Sequence, residues 1–462
     1  MEDKKIDDSL NNINDNLVKK YNVSGPYYSS YPVLQSWSDK FSHVDYFLSL
    51  EKSFSESKEF PLSLYIHVPF CPKLCYYCCC NKIISSDYTK IREFLKHLFL
   101  EINLLSDFFK KHSITPKVKE LHLGGGSPSY MEETEFDLLL EKLQPLVNFN
   151  ELDEFIIEVD VRTVDKKKLK HYSEKGVNRI SFGIQEFNPK VQKAVNRVQP
   201  LSLIQNLLSQ DIRNCFKSIN FDILYGLPLQ TRESFKSTIE TAKRLSPDRM
   251  CIFNYDHRPN IYKHQKMIKK SELPDAIEKT MMFVDTVKTL LEDNYEYIGV
   301  DHFAKTTGDL AKAKQKGTLG RNFNGYPEGR TDNLIGLGPT SLTAFDNFYS
   351  QDAKTLTDYY KSIKKNNLPI CCGYKLNKDD LIRRSVIHKI ISNNFLDFSK
   401  IEKEYNIDFN KYFQQEIKSL QHFVREDMLI LSDNSLNVTL LGRVFIRHIC
   451  MVFDNYLKNE KD

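Results

Sequence analysis

Five of the chain's ten cysteines fall between residues 71 and 80, in the stretch CPKLCYYCCCNKI. Cys71, Cys75 and Cys78 are spaced C-x3-C-x2-C, directly after the apolar run YIHVPF. A tetrahedral zinc site normally takes four Cys or His ligands in two separated pairs, and no second pair follows here. Three thiolates on one tight loop suit a [4Fe–4S] cluster with one iron left without a protein ligand. Such an iron can chelate the amino and carboxylate groups of S-adenosylmethionine. An electron from the cluster then splits the sulfonium and releases a 5′-deoxyadenosyl radical. Zinc binding, or packing alone, is the other reading of the same thiols. Cys215, Cys251, Cys371, Cys372 and Cys450 are scattered and read as small core hydrophobes.

The elements that must position this loop are legible as a period. Short β-type runs occur at 62–68, 119–126, 154–160, 179–185, 219–226, 250–256 and 295–301, rich in Val, Ile, Tyr and Phe. Between them lie amphipathic helical stretches such as DYTKIREFLKHLFLEINLLSDFFKKH and MEETEFDLLLEKLQPLV. Repeated β-α units predict an α/β fold: a parallel sheet with right-handed crossovers, closed or partly closed into a barrel. In such folds chemistry gathers at the carboxyl ends of the strands. There the sequence places the cysteines, Gly124-Gly125-Gly126, Glu158 with Asp160, Gln185, and Asp222 followed by YGLP. After about residue 350 the pattern becomes helical, with a hairpin predicted at MLILSDNSLNVT. Three divisions follow: an arm over 1–55, a catalytic barrel over 56–350 and a helical domain over 351–462. The first 25 residues read as a flexible arm, and SGPYYSSYP as a segment packed on the body. Three helices and a hairpin also fit a winged-helix module, for which a scaffold or lid role is favoured over DNA binding.

Composition narrows the class. The 462 residues carry a net charge of only +4, without the basic clustering that nucleic acid requires. No run approaches the ~20 apolar residues of a membrane span. The start, MEDKKIDDSLNNINDNLVKK, lacks the apolar segment of a secretory signal, so a cytoplasmic location is expected. In that reducing compartment, close cysteines point to metal or redox chemistry rather than disulfides.

The C-x3-C-x2-C motif at the end of a first strand resembles the radical S-adenosylmethionine superfamily. With Cys80 two places after Cys78, YIHVPFCPKLCYYCCCNKI resembles oxygen-independent coproporphyrinogen III oxidases, also called coproporphyrinogen dehydrogenases. So do LHLGGGSPSY, IEVD, GIQEFN, NFDILYGLPLQT, DHFA, GRNFNGY and RHICMVFDNYL, in the family's order from about residue 21 onward. The resemblance implies a partial (β/α) barrel of radical SAM type with a mostly helical C-terminal domain. It implies a [4Fe–4S] cluster on Cys71, Cys75 and Cys78, with Cys80 nearby and not ligating. It further implies two S-adenosylmethionine molecules, the first contacted by Tyr65, Gly125, Glu158 and Leu342. The second would be lined by Tyr77, Gly126, Ser127, Gln185, Arg197, Asp222 and Asp256. The reaction implied is oxidative decarboxylation of two propionates of coproporphyrinogen III to vinyl groups, giving protoporphyrinogen IX. Reduced flavodoxin or ferredoxin would supply electrons to a monomeric enzyme. Alternatives are a radical enzyme acting on another tetrapyrrole, and a haem-binding or haem-delivery relative.

Taken alone, the same residues have plainer readings. Arg197 and Asp222 would pair with each other, and Glu158 would take a Lys or Arg. His67 and His122 would be core histidines bonded to backbone, and Tyr65 a strand aromatic. Several positions depart from the family's usual residues: Tyr27, Val161, Asp256, Arg258, Asn324 and the PEGRTDNLIG segment. Asp256 is expected either to pair with Arg258 or to weaken the second cofactor site. Cys79 has no assigned role.

Overall fold

The computed structural model describes residues 9–56, 61–326 and 333–459. One twelve-stranded sheet dominates it. Its strands, in chain order, are β1 (Pro61–Val68), β2 (Lys117–Gly125), β3 (Glu154–Val159), β4 (Arg179–Gln185), β5 (Ser218–Tyr225), β6 (Arg249–Asn254), β7 (Tyr295–Gly299), β8 (His302–Lys305), β9 (Leu334–Leu337), β10 (Leu342–Ala344), β11 (Phe348–Asp352) and β12 (Ile370–Lys375). Their spatial order is β12-β11-β10-β9-β1-β2-β3-β4-β5-β6-β8-β7. The seven strands from β9 to β6 run parallel, as the predicted barrel requires.

Side-chain alternation gives this sheet two unlike faces. Leu121, Leu123, Phe155, Ile157, Ile180 and Phe182 point one way and are buried. They pack beneath crossover helices such as Thr89–Lys111, whose Phe94, Leu98, Ile102 and Leu105 are equally buried. Their neighbours in sequence, including Glu120, Glu154, Glu158, Arg179, Ser181 and Asp222, point the other way and line a cavity. The inner face is therefore a polar basin held by an apolar shell. Its floor is tied together by Ser63 Oγ donating to Glu120 at 2.8 Å and by the buried Arg179–Glu154 ion pair at 3.4 Å.

All seven expected strands are present, but the last departs from the β-α period. β7 is joined to β6 only through β8, which runs antiparallel to both. Only Val300 and Asp301 separate β7 from β8, and Val300 has φ +45°. Two residues make a hairpin and cannot make a crossover. The expected domain edge at 350 falls inside β11, and β12 still belongs to the large sheet. Beyond it, helices Lys378–Asn393, Phe398–Tyr405 and Gln414–Arg425 pack with a small antiparallel sheet. That sheet contains the predicted hairpin as Leu429–Leu431 and Ser435–Val438, with Phe395–Asp397 on its other edge. No helix among the described residues is long and apolar enough to cross a membrane.

Residues 9–25 are not a loose arm, although residues 1–8 lie outside the described part. Asn14 caps helix Asp15–Tyr21 by accepting from the Leu17 amide. Leu10, Val18 and Tyr21 are buried, and the Tyr21 ring lies 5.6 Å from Phe423 and 5.2 Å from Phe445. Its hydroxyl donates to Glu426, a contact 405 residues away in the chain. A few apolar residues among many polar ones are enough, because each meets a prepared hollow. The following SGPYYSSYP segment packs as expected, with Tyr28 and Tyr31 fully buried and the Tyr28 hydroxyl 2.9 Å from Asp454. Tyr21→Ala is expected to destabilise the protein by about 2–4 kcal/mol, read from urea unfolding, through loss of buried ring contacts. A freely moving arm would give no change.

Candidate active site

The cysteine loop begins where β1 ends. Phe70–Cys71 pairs in parallel with Ile83–Ile84, closing residues 72–82 into a loop. The loop is pinned from several sides. The Tyr76 amide donates to the Val195 carbonyl at 3.0 Å, and Asn196 donates to Leu74 at 2.8 Å. Lys82 donates to the Cys78 carbonyl at 3.0 Å, and His264 Nε2 lies 2.7 Å from the same oxygen. Cys71, Cys75 and Cys78 are thereby delivered to one cavity of ≈ 1290 Å³ bounded by the inner face of the sheet.

The glycines after β2 make this approach possible. The Gly126 amide donates to the Val68 carbonyl at 2.8 Å, so β2 crosses close beside the start of the loop. A Cβ on Gly126 would stand 2.6 Å from the Pro69 carbonyl carbon and 2.9 Å from the Phe70 nitrogen. Gly125 has φ +109°, and its amide donates to Glu158 Oε2 at 3.3 Å. Gly126 thus packs backbone against backbone, Gly124 and Gly125 leave room for the Glu158, Tyr65 and His67 side chains, and Gly125 and Gly126 lie on the cavity wall.

Charge around the loop is organised by Asp160. Its carboxylate takes Arg162 at 2.6 Å and Arg197 at 3.2 Å. Both guanidiniums also reach Cys75 Sγ, each at 3.6 Å. Burial alone would raise the Asp160 pKa, but Arg197 and Arg162 outweigh it and hold the group at about 2. Two cations on one anion leave net positive charge beside the buried Cys75 sulfur. Cys78 is drawn down to about 6, first by a hydrogen bond from Cys80, whereas burial pushes Cys71 up to about 12. Among the described residues no three Cys, His, Asp or Glu groups converge on a single metal ion. Three thiols spread around one loop and facing cationic side chains fit a multinuclear, negatively charged cluster better than one zinc. The site therefore fits the group that the spacing called for.

Across the basin, Glu158 is held by the Gly125 amide and by His122 Nε2 at 3.2 Å, not by Lys or Arg. Burial works against a charged His122, but Glu158 prevails and raises its pKa. Tyr65 stands behind this pair, its ring 5.5 Å from that of His122 and its hydroxyl 3.3 Å from His67 Nδ1. His67 Nε2 meets the Asn81 carbonyl at 3.0 Å, as a core histidine would. Asp222 does not pair with Arg197, which Asp160 and the Gly183 carbonyl have taken. Instead Asp222 accepts from Ser181 and Asn220, both at 2.8 Å. Without a cation, burial holds its pKa up to about 6. A carboxylate so placed can receive ligand hydroxyls or a positive ligand group.

The structure thus brings Cys71, Cys75, Tyr77, Cys78, Gly125, Gly126, Ser127, Glu158, Gln185, Arg197, Asp222, Asp256 and Leu342 to one cavity, with Tyr65 just behind its wall. Gln185 reaches it through a strand irregularity, with φ +64°. Asp256 pairs with Arg258 at 2.6 Å. Tyr27 carries the Arg447 guanidinium 4.5 Å from its ring centre. Val161 is buried, Asn324 sits in a turn on the cavity wall, and residues 327–332 of PEGRTDNLIG lie outside the described part. Cys79 is exposed, with its sulfur 3.4 Å from Gln265 Nε2. Sequence reasoning placed Asp160 at a strand end without giving it a role, and missed Arg162 and Gln265. Asp160, one place beyond β3, keeps the period of two set by Glu154 and Glu158, and like Glu158 it lines the cavity.

Comparisons with known proteins agree with this site. The family described as Radical SAM superfamily matches residues 65–242, and the HemN C-terminal domain matches residues 376–445. The chain is 38% identical over 445 residues to the oxygen-independent coproporphyrinogen III oxidase of Escherichia coli (strain K12), covering 96% of this chain and 95% of that one. Over the same shares of each chain it is 36% identical to the enzyme of that name from Pseudomonas aeruginosa and 37% to that from Synechocystis sp.. The solved coproporphyrinogen III oxidase of Escherichia coli, described as a radical SAM enzyme, superposes with a TM-score of 0.88 at 37% identity, over 93% of this chain and 97% of that one. Fold and site therefore define a radical SAM oxidoreductase, a class that works with a [4Fe–4S] cluster and S-adenosylmethionine. Within it, the chain belongs to the oxygen-independent coproporphyrinogen III oxidase family.

Two outcomes follow from the geometry. Gly126→Ala is expected to cost about 1–3 kcal/mol in urea unfolding and to lower iron uptake on reconstitution, because Pro69 and Phe70 cannot move without moving Cys71. For Asp222, the folded pKa lies above the unfolded one, so the folded chain binds more protons between them and stability falls as pH rises from 4 to 6. In cofactor-free protein, the unfolding free energy of Asp222→Asn relative to the parent should rise over that window by about 2–3 kcal/mol and stay level above it. An unchanged difference would place Asp222 in contact with water.

Proposed function

We propose that the chain converts coproporphyrinogen III to protoporphyrinogen IX by oxidative decarboxylation of two propionate side chains. The observation that carries this is the union of a three-thiol loop and a large, partly apolar basin in one cavity, in a chain related to such enzymes over nearly its whole length. Cys71, Cys75 and Cys78 hold the cluster, Asp160 sets Arg162 and Arg197 against it, and Cys80 supports Cys78. When bound there, the cluster and S-adenosylmethionine supply one-electron chemistry able to break an unactivated C–H bond, which acid–base side chains cannot do. Tyr65, Gly125, Glu158 and Leu342 serve the first S-adenosylmethionine. Tyr77, Gly126, Ser127, Gln185, Arg197, Asp222 and Asp256 serve a second.

Each vinyl group requires loss of one hydrogen atom from the carbon β to the carboxylate, one carbon dioxide and one electron. The chain's own part is to orient that carbon and to keep water out. Residues 443–448 of the C-terminal domain and the 22–30 segment form part of the cavity wall, so a substrate is enclosed between the basin and these covers. Reduced flavodoxin or ferredoxin is the electron donor in this reading, and the enzyme works as a cytoplasmic monomer under low oxygen.

Anaerobic reconstitution should give about four irons per chain, and Cys75→Ala should lose them. With S-adenosylmethionine, reductant and coproporphyrinogen III, mass spectrometry should find the divinyl product together with 5′-deoxyadenosine. Release of 5′-deoxyadenosine without vinyl products would redirect the assignment to another tetrapyrrole. Stoichiometric haem binding with little 5′-deoxyadenosine would redirect it to haem carriage.

A further inference from the structure

Most basic side chains on the cavity wall are already engaged. Arg162 and Arg197 share Asp160, Arg179 pairs with Glu154, and Arg258 pairs with Asp256. Lys279 differs. It projects from helix Ala276–Leu291 into the same cavity, and its ammonium has no hydrogen bond or ion pair with any described residue. Burial lowers its pKa, and only the more distant charge of Asp256 opposes that. A partly buried ammonium without an anion is unfavourable, and an arriving anion would relieve it.

The neighbouring backbone is shaped around this side chain. Gly226, in the YGLP turn after β5, has φ +84°, and a Cβ there would stand 2.5 Å from Lys279 Cδ. Any larger residue at 226 would displace the lysine stem. A second cation, Arg447, comes to the cavity from the C-terminal helix Ile446–Met451. It donates to the Gly25 carbonyl at 3.1 Å and stacks on Tyr27, and among the described residues no carboxylate lies within ion-pair distance of it. The wall that these two share is aromatic, including Tyr27, Phe445 and the stacked pair Tyr225–Phe283, with ring centres 5.5 Å apart. Flat apolar walls with two cations outside any ion pair, opposed only at a distance by Asp256 and Asp301, suit a large ring compound bearing carboxylates on flexible arms.

We propose that Lys279, assisted by Arg447, binds a propionate carboxylate of the tetrapyrrole and so fixes which side chain faces the cluster loop. This rests on the tetrapyrrole reading of the cavity. Charge-assisted hydrogen bonds in a partly desolvated site are the strong kind, so loss of the ammonium weakens binding about tenfold or more.

The test is equilibrium binding of coproporphyrin III, followed by its fluorescence, to the anaerobic holoenzyme with S-adenosylmethionine present. Lys279→Met should raise its Kd about tenfold, and Lys279→Arg should restore it to within about threefold. The tetramethyl ester of the same porphyrin, which carries no charge, should bind the parent and Lys279→Met alike. In turnover, Lys279→Met should raise KM for coproporphyrinogen III and leave KM for S-adenosylmethionine unmoved, with iron content unchanged. Equal Kd values for parent and Lys279→Met, or equal weakening of acid and ester, would overturn the assignment while leaving the proposed reaction standing. A rise in KM for S-adenosylmethionine instead would give Lys279 to the cofactor's carboxylate and also overturn it. Failure of the parent itself to bind the porphyrin would remove the tetrapyrrole reading and this inference with it.

Discussion

A loop of thiols can hold a negatively charged cluster only if positive charge is fixed beside it. At Cys75, the buried thiol of the three, one carboxylate fixes that charge. Asp160, at the end of β3, holds Arg162 and Arg197 so that both point at Cys75. The two arginines could not be kept so close without the anion between them, and the anion would not stay ionised at this burial without the arginines. Arg197 also grips the Gly183 carbonyl on β4, so the charge cluster is bolted to two neighbouring strands. The same arrangement lines the cavity beside the cysteine loop with two guanidiniums.

The basin exists because the parallel strands alternate. Strands covered by helices on one side and facing a cavity on the other cannot be uniformly apolar, and here most cavity-facing residues are polar or small, with Ile156, Leu224 and Phe253 as apolar exceptions. Buried partners on the floor, such as Arg179 with Glu154, satisfy one another and stiffen the sheet. Higher up, Asp222 and Lys279 form no ion pair, and burial shifts each towards its neutral form. The chain thus stores its unsatisfied polarity where chemistry is to occur and resolves it elsewhere.

Much of this was legible in the sequence. Cysteine spacing and the strand period located the loop, and the strand-end residues did converge on one cavity. Partners across space were not legible. Arg197 and Asp222 looked like a pair, yet Asp160 intervenes because β3 lies between β2 and β4 in the sheet. His122 looked like a core histidine and instead supports Glu158. The β7–β8 hairpin hid behind a strand signal, since only the two-residue turn distinguishes it from another crossover. The N-terminal segment reads as loose because it is polar along its length, and its few buried side chains act through hollows built by residues distant in the chain, from Lys288 to Glu426 and Asp454.

The central claim is that three thiols on one loop hold a cluster whose remaining iron is open to S-adenosylmethionine. Its most direct test is electron paramagnetic resonance of the anaerobic, reduced protein before and after S-adenosylmethionine is added. A [4Fe–4S]⁺ signal whose g-values shift on addition is the predicted result. A signal indifferent to the sulfonium compound, or colourless protein that holds only zinc, would contradict the account.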